Sequence, residues 1–578
     1  MKRLPYPRVM IGLIILFFLL LGIQASLKAP ESGATSTERS EATNEVATLE
    51  STFKEDKRVY DKHDGNKLEH VYVTIFDQRT VPENDLTLYD LNESYKQYSN
   101  LESGPKLYVH FETGDAKGPD GIQLFDEQEV NATIELRGRS SRLAPQKSYK
   151  IRLQDNAGLW YGQSVLNLNK HPGDPTRVRN HLAFSYFEKL DHLSSLRTNF
   201  VQLHVRDMTN PEVADTFEDY GLYTHVEQLN EEALAARGLN PDGHLYKAEN
   251  FEFFRYPDKL LPTDDPNYDK KAFESVLKIN GSDNHDELLT MLDDLNDMSK
   301  PFDETFETYF DKENYLTWLG TNILFGNYDT MSSNFYLYSP LNSEKWYFLP
   351  WDFDFRAWDY NDLLGINDSM PDWQKGIQRY WGSTLHRRYL RDPANVEALV
   401  NKLEKLSQTI NPNTTKQMLE MYYPVVSPIV KRVPDLRYLS IEADQFEENY
   451  WKLTDTTTTY HQSFLDSLER PMPIFLNYER NQGKDIFKWD PSYDLQNDDL
   501  TYHFELSKSP DFNTHIINSD KMTTFSYSTS PLEAGRYYWR VIVTDAKGNT
   551  QIPFDVYKGE NRTRYWGVQQ IVIPGESS

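Results

Sequence analysis

Residues 325–358 read FGNYDTMSSNFYLYSPLNSEKWYFLPWDFDFRAW, and this stretch decides the expected fold. Residues 335–338 and 346–349 are alternating segments on either side of a short turn sequence, a pattern that predicts an antiparallel hairpin. A loop precedes the first strand, and the tripeptide DFD follows the second. Because both flanking segments lie at the same open end of the hairpin, we expect that end to bring together Asp329, Asn334 and Asp352.

The side chains at this open end are hard oxygen ligands. Two carboxylates and a carboxamide suit Mg²⁺ beside a phosphate. Protein kinases use a comparable order of an acid near the substrate hydroxyl, a metal-binding Asn and a metal-binding Asp after a further hairpin. Asp354 completes the DFD tripeptide as a second acid. Two alternatives stay open: turn-forming Asp and Asn residues without a ligand, and the DxD tripeptide of a metal-dependent glycosyltransferase.

Two other stretches carry residues suited to phosphate. Residues 134–153 read IELRGRSSRLAPQKSYKIRL, which predicts two strands joined by a polar turn containing Gly. The backbone N–H groups of such a turn bind phosphate, and a Lys on the next strand neutralises it. Further along, Lys247 could contact phosphate and Glu227 could orient a Lys. A solvated basic face and an exposed ion pair are the respective alternatives.

Composition excludes several functional classes. The chain has 578 residues, a net charge of −27 and no cysteine. So acidic a chain is a poor general nucleic-acid binder, because phosphate contacts need clustered cations. Without cysteine there are no disulfides, thiolate zinc sites, iron–sulfur clusters or cysteine nucleophiles. Hydrophobic residues at 38% and aromatic residues at 13% are enough for a sizeable core, so wholesale disorder is excluded.

The first residues predict export. Three cations precede the uncharged apolar run at residues 9–23, the pattern of a secretory signal. The run is shorter than the roughly 20 residues of a membrane-spanning helix. Residues 1–27 are therefore either a signal cleaved after Ala25 or an uncleaved anchor, and both place the remainder outside the cytoplasm. Residues 28–56, rich in Ser, Thr, Glu and Ala, read as a disordered linker.

The remaining sequence divides into a sheet-rich front, a helical back and a second β-rich region. Residues 67–153 alternate like strands, residues 176–190 and 305–325 have helical spacing, and residues 385–470 hold several amphipathic helices. This predicts an α+β domain of two lobes over residues 57–470. Residues 471–560 predict an all-β immunoglobulin or fibronectin III-like sandwich with Trp489, Tyr538 and Trp539 in its core, and residues 561–578 a tail.

Several stretches, in this order, resemble the spore-coat CotH kinase family. They are RGRSS followed by KSYKI, then GLYTHVEQLNEEALAARG, HLYK, GNYDTMSSNFYLY and KWYFLPWDFD. The resemblance covers roughly residues 67–470. It implies an atypical protein kinase fold that uses ATP and Mg²⁺ or Mn²⁺ to phosphorylate Ser or Thr of a protein.

The resemblance also assigns roles to individual residues. Asp329 is the implied catalytic acid, and the implied metal ligands are Asn334, Asp352 and Asp354. Tyr246 and Trp346 would wall the adenine, with ordinary core packing as the alternative. The full set of implied nucleotide-binding residues is Arg137, Lys147, Glu227, Tyr246, Lys247 and Trp346.

Two alternative functions stay open beside the prediction of a surface or secreted kinase. The first is a non-catalytic adhesion or binding protein on a kinase-like scaffold, with the sandwich contacting a cell-wall or surface ligand. The second is a DxD glycosyltransferase, although the nucleotide-binding α/β half typical of that class is not evident ahead of the DFD. The expected partners are a protein phosphoacceptor and a surface ligand, and no nucleic acid.

Overall fold

A computed structural model describes residues 53–61, 64–97, 104–120, 129–139, 141–212, 215–341, 343–354, 371–560 and 563–575. The predicted signal or anchor at residues 1–27 lies outside the described residues, as do residues 28–52 of the linker predicted over 28–56. Phe53, near the end of that linker, is buried in the core. Among the described residues, no helix has both the length and the apolar character needed to cross a membrane. The α+β class predicted from the sequence is confirmed, whereas the kinase-like arrangement of two lobes stays a prediction.

The front of the structure is a barrel-like sheet. Its strands are β1 Leu68–Ile75, β2 Lys106–Asp115, β3 Gly118–Pro119, β4 Ala132–Arg137, β5 Ser148–Leu153, β6 Val165–Asn169, β7 Thr198–Asp207 and β8 Glu218–Glu227. The strand order is β1-β7-β8-β6-β5-β4-β2-β3, and an additional pairing of β1 with β2 closes the ring. Only the β1–β7 pair is parallel among the pairings of this ring.

Strand alternation gives the barrel a filled interior and an outer face that is polar on β4, β5 and β6 but apolar on β7 and β8, where Phe200 and Leu222 join the helical core. The interior holds mainly aliphatic side chains, including the buried Ile134 and Ile151, with Tyr223 contributed by β8. Because successive side chains point to opposite faces, Arg137 of β4, Lys150 of β5 and Asn167 of β6 lie on the outside. That outer face is where the barrel meets the rest of the domain.

Twelve helices are present in the described ranges. They are α1 Arg58–Asp61, α2 Leu88–Glu93, α3 Arg179–Phe187, α4 Glu231–Ala236, α5 Lys270–Glu274, α6 Asp286–Asn296, α7 Phe302–Tyr309, α8 Lys312–Leu324, α9 Thr384–Leu390, α10 Pro393–Ser407, α11 Pro412–Val430 and α12 Phe446–Leu468. The single helix expected over residues 305–325 is wrong, because α7 and α8 are separate. Phe310 is extended between them, and the side chain of Asp311 caps α8 by accepting from the backbone N of Asn314 at 2.9 Å.

A small antiparallel sheet carries the hairpin predicted from residues 325–358. Its strands are β9 His244–Ala248, β10 Leu277–Ile279, β11 Phe335–Ser339 and β12 Tyr347–Pro350, in the order β10-β9-β11-β12. One face packs into the large core that the helices share, where Leu337 and Phe348 are fully buried. The predicted hairpin of β11 and β12 is confirmed.

The C-terminal region is a sandwich of two sheets. Its strands are β13 Leu476–Asn481, β14 Lys484–Trp489, β15 Thr501–Ser507, β16 Ile517–Asn518, β17 Ser526–Thr529, β18 Gly535–Thr544, β19 Thr550–Gln551, β20 Val556–Lys558, β21 Arg564–Trp566 and β22 Gln569–Ile573. Three strands (β13-β14-β17) face five (β16-β15-β18-β19, with β22 on β18) across a core that contains Trp489 and Trp539, and β20 and β21 pair as a separate two-stranded sheet. Tyr538 lies instead in a small separate cluster. Since β22 pairs with β18, the sandwich continues into residues that the sequence assigned to a tail.

Candidate functional site

The register of the β11–β12 hairpin places two predicted metal ligands side by side. Phe335 pairs with Pro350, so Asn334, just before β11, and Asp352, just after β12, lie at the open end of the hairpin. Both residues have φ of 60°. This left-handed conformation is unfavourable for most side chains and is tolerated best by Asn and Asp. Non-glycine residues held in that region cluster at functional sites.

Burial and a neighbouring carboxylate both disfavour the ionised form of Asp352 at the end of this hairpin. Burial and the negative charge of Asp354 raise the pKa of Asp352 to about 6, while the positive charges of His171, Arg137 and Lys247 act in the opposite direction. Asp354 Oδ2 lies 3.6 Å from Nδ1 of His171. We call the cluster of Asn334, Asp352, Asp354, Arg137 and Lys247 the Asp352 site.

Arg137 connects the outer face of the barrel to this site. Its guanidinium donates to Asn169 Oδ1 at 2.6 Å and to Asn167 Oδ1 at 2.8 Å, both from β6. The same group lies 5.5 Å from the ring centroid of Trp351, the residue before Asp352. Burial lowers the pKa of Arg137, and the negative charge of Asp352 opposes that shift. The two Asn side chains therefore hold a cation against the hairpin.

Lys150 is a residue that the sequence analysis missed. It lies on β5 opposite Glu135 of β4, on the same outer face as Arg137. Burial lowers the pKa of Lys150 to about 8, and the neighbouring charges of Arg152 and Arg137 add to the effect. The available signal was the alternation of β5, because Lys150 shares a face with Arg137 whereas Tyr149 points into the barrel.

Lys147, the phosphate-binding Lys expected from the sequence, forms its hydrogen bonds within its own loop. It precedes β5, and its buried ammonium donates to the carbonyl oxygens of Arg142 at 2.7 Å and Ala144 at 2.9 Å. The ammonium also lies 4.2 Å from the ring centroid of Tyr95. Lys147 thus stabilises its own loop, and the structure does not bring it to the Asp352 site.

Glu227 is part of a buried ion-pair network. Arg197 Nη2 donates to Glu227 Oε1 at 2.6 Å, and Arg237 Nη2 donates to Glu227 Oε2 at 2.5 Å. Burial opposes ionisation, but the two guanidinium groups outweigh it and lower the pKa of Glu227 to about 2. Glu227 therefore joins β8 to its neighbours and pairs with arginines, whereas the sequence analysis paired it with a Lys.

Tyr246 and Trp346, the expected adenine walls, are core residues. Both are almost fully buried, and their ring centroids lie 6.0 Å apart. The hydroxyl of Tyr246 shares a 2.8 Å hydrogen bond with Nδ1 of His285. Strand alternation explains the placement, because Lys247 on the next position of β9 takes the opposite face and forms a 2.8 Å ion pair with Glu249. Core packing, the stated alternative, is what the structure shows for the two aromatic residues.

Asp329 lies in the loop that leads into the hairpin. It belongs to the single turn Tyr328–Thr330, and its side chain is half-buried. Ser333 Oγ donates to its backbone carbonyl at 2.9 Å, which folds the loop back immediately before Asn334. Asp329 therefore lies in the folded loop that directly precedes the first strand of the hairpin.

The aromatic residue inside the DFD tripeptide anchors the site to the core. Phe353 is fully buried, with ring centroids 4.8 Å from Phe187 and 6.3 Å from Phe184. Its backbone N donates to Asn180 Oδ1 at 3.1 Å. Since all three partners belong to α3, the positions of the two flanking carboxylates depend on that helix.

The donor set fits a divalent cation. Asp352, Asp354 and Asn334 offer oxygen ligands of the type that Mg²⁺ and Mn²⁺ prefer. Burial and, second, the negative charge of Asp354 raise the pKa of Asp352, and a bound cation would offset both effects. Arg137, Lys150 and Lys247 add a positively charged rim suited to phosphate oxygens.

Two comparisons with known proteins identify the family of this chain. A sequence model of the family described as "CotH kinase protein" matches residues 134–462, which is more than half of the chain. The chain is also similar to "Inner spore coat protein H" of Bacillus subtilis (strain 168), with 26% identity over 297 residues. That alignment covers 50% of this chain and 74% of the relative. The resemblance stated from the sequence is thus confirmed, and the chain belongs to the CotH family.

Proposed function

We propose that this protein is an extracytoplasmic CotH-type kinase that transfers the γ-phosphoryl group of ATP to a Ser or Thr hydroxyl of a protein. The observation that carries the proposal is the Asp352 site. There, two carboxylates and a carboxamide meet the cationic outer face of the barrel. Family membership supports the same reaction class.

Each residue of the site has a role in this proposal. Asp352, Asp354 and Asn334 would hold Mg²⁺ or Mn²⁺, which neutralises phosphate charge when bound. Arg137 and Lys150 bind the nucleotide phosphates, and Lys247 lies close enough to affect the charge of Asp352. Asp329 orients the acceptor hydroxyl and takes its proton. Phosphoryl transfer depends mainly on such positioning and charge stabilisation.

Location and partners belong to the same proposal. The name of the Bacillus subtilis relative refers to a spore coat. Together with the export signal predicted at residues 1–27, this supports a position outside the cytoplasm, at a cell or spore surface. The acceptor is then a surface protein, and the C-terminal sandwich offers a face for a wall or surface ligand.

The test is ³²P transfer from γ-labelled ATP by residues Ser51–Ser578, which form one compact unit. Wild type should label itself or an added coat extract with Mg²⁺ or Mn²⁺, and Asp329→Ala and Asp352→Ala should lower the rate by a factor of 10² or more. ATP should raise the thermal midpoint of wild type. Absence of both labelling and ATP-induced stabilisation would contradict the proposal and leave a binding protein on this scaffold.

Two lysines in the same loop-and-strand segment provide a matched pair for that assay. Lys150→Met should weaken ATP stabilisation and transfer about tenfold or more, because a cation is lost from the phosphate face. Lys147→Met should lower stability, because two carbonyl acceptors lose their donor, but leave transfer per folded molecule near wild type. The reverse ranking of the two variants would restore Lys147 as the phosphate ligand.

A further inference from the structure

A second group of carboxylates lies in the C-terminal sandwich, away from the Asp352 site. Asp494, Asp498 and Asp545 each offer a carboxylate oxygen, and these oxygens all lie within 4.8 Å of one another. Asp494 is 3% exposed and Asp545 5% exposed. Two buried acids and a third beside them, at such short separations, repel each other strongly unless a cation lies between them.

Two carboxylate oxygens in this group, Asp494 Oδ2 and Asp498 Oδ2, are buried without a hydrogen-bond donor in the part of the chain that the structure describes. Asp494 Oδ1 accepts from the backbone N of Gln496 at 2.9 Å and of Asp498 at 3.0 Å. Asp494 Oδ2 is buried and has no hydrogen-bond partner among the described residues. Because an unpaired buried carboxylate oxygen is costly, this atom points to a missing positive ligand.

The neighbouring charges do not balance the three acids. Lys547 Nζ lies 3.5 Å from Asp498 Oδ2, and it also pairs with Glu469 at 3.1 Å. The Lys547 side chain is 47% exposed, so it is screened by solvent. The oxygens of Asp545 accept from the backbone and side-chain N–H groups of Asn549, which are neutral donors. Among the described residues, the ammonium of Lys547 therefore lies beside three carboxylates and also pairs with a fourth, that of Glu469.

The loops that carry these acids also hold the end of the last helix of the CotH domain. Gln496 Nε2 donates to the carbonyl of Leu468 at 2.9 Å, and Asn549 Nδ2 donates to the carbonyl of Glu469 at 2.9 Å. Leu468 is the last residue of α12, directly before the chain enters the sandwich. A cation that fixes both loops would consequently fix the junction between the two parts of the molecule.

We propose that Asp494, Asp498 and Asp545 form a Ca²⁺ site that fastens the sandwich to the end of α12. Calcium suits the site because it accepts six to eight oxygen ligands in flexible loops, with carbonyls and waters completing the set. Mg²⁺ demands a stricter octahedron of mostly water ligands. Modules outside the cytoplasm bind Ca²⁺ with dissociation constants of about 10⁻⁴–10⁻³ M, and we expect a value in that range. The proposal does not depend on kinase activity.

The test is calorimetric titration of EDTA-treated residues Ser51–Ser578 with CaCl₂, in parallel with thermal unfolding and Tb³⁺ luminescence. Wild type should bind one Ca²⁺ and show a higher thermal midpoint in millimolar Ca²⁺. Asp494→Asn keeps the shape and the two amide contacts, and it should weaken Ca²⁺ at least tenfold. Asp499→Asn, an exposed acid of the same loop, is the matched control and should bind like wild type.

Lys547→Met separates a cation site from a merely structural cluster. Removing the competing ammonium should tighten Ca²⁺ binding several-fold, because the acids then lose the positive charge of Lys547 that lies beside them. Hydrogen exchange of residues 464–472 should slow in Ca²⁺ for wild type but not for Asp494→Asn. Equal Ca²⁺ heat and Tb³⁺ emission in wild type and Asp494→Asn would overturn the assignment. So would a site that is lost in Asp494→Asn but binds Mg²⁺ more tightly than Ca²⁺ in the Asp352→Asn background, where the other proposed metal site is disabled.

Discussion

Asp352 combines a positive φ, partial burial and a nearby carboxylate. Each feature opposes stability, because the backbone is in a sparsely populated region and an ionised acid is taken partly out of water. The surrounding positive charges of His171, Arg137 and Lys247 only partly compensate. Because these features destabilise the folded protein, they suit a residue that binds a ligand better than one that stabilises the fold.

Stability should therefore depend on the protonation of Asp352. Its pKa is raised from 3.8 to about 6 in the folded protein, so the folded state binds the proton more readily than the unfolded state. The free energy of unfolding should fall as the pH rises from about 4 to about 6, by about 2–3 kcal/mol in total. Asp352→Asn removes this loss, so the variant should match wild type near pH 4 and exceed it at pH 7.

Urea unfolding between pH 4 and pH 7 measures this difference. The exposed Asp258 supplies the control, since Asp258→Asn should follow the wild-type curve throughout. Saturating Mg²⁺ should raise the wild-type midpoint at pH 7 and have little effect on Asp352→Asn. Parallel stability curves for wild type and Asp352→Asn would show that this carboxylate is not under electrostatic stress.

At the scale of elements, Glu227 joins three pieces of secondary structure. It ends β8, Arg197 precedes β7, and Arg237 caps the C-terminus of α4. Arg237 is completely buried and also donates to the carbonyl of Ser195 at 2.8 Å. The network therefore fixes α4 against the barrel.

Glu227→Gln should lower the free energy of unfolding by about 3–5 kcal/mol, because two buried guanidinium groups lose their counter-charge. In wild type, the lowered pKa of Glu227 supplies stability that is present above about pH 4.5 and is lost as the pH falls through about 2. Chemical denaturation at pH 7 tests the variant, with the exposed Glu232→Gln as its control. Equal losses in both variants would contradict a special role for the buried pair.

The hairpin was predictable from sequence because alternation and a turn are local signals. Asn334 and Asp352 follow from its register alone, without knowledge of the remaining chain. The sequence also contains a local signal for the break between α7 and α8, because Asp311 is a good helix N-cap. The apolar residues keep helical spacing across this break, so the spacing alone predicts one continuous helix.

Side-chain partners distant in sequence were not predictable. Glu227 meets Arg197 across 30 residues, and Lys147 meets backbone carbonyls that no sequence pattern identifies. Lys147 and Lys150 differ by three positions, so the start of β5 decides which of them faces the hairpin. Strand boundaries are among the least certain features that a single sequence provides.

At the scale of the whole molecule, the sandwich packs against the CotH domain through aromatic residues. The ring of Trp373 lies 5.1 Å from Phe554 and 5.7 Å from Trp566, and Trp381 stacks on Tyr493 at 5.4 Å. Trp373 and Trp381 are both 4% exposed. These contacts make the sandwich a structural partner of the CotH domain.

We accordingly expect residues Ser51–Ser578 to unfold in a single calorimetric transition. A chain that ends at residue 470 should expose Trp373 and Trp381 and aggregate on gel filtration. Phe554→Ala should lower the thermal midpoint by several degrees, whereas Phe525→Ala, at a ring that is 47% exposed, should change it little. Two separated transitions in wild type would show that the sandwich folds and melts independently.

Barrel closure also sets the order in which the chain can fold. The ring needs the pairing of β1 with β7, where His70 contacts His204 across 134 residues of sequence. Contacts between such distant residues form slowly, because a long loop must close before they contribute. A chain leaving the ribosome or a translocon holds β1 without its parallel neighbour until β7 has emerged. During that interval the N-terminal strands present an unpaired edge, which makes it the period when chaperone protection matters most.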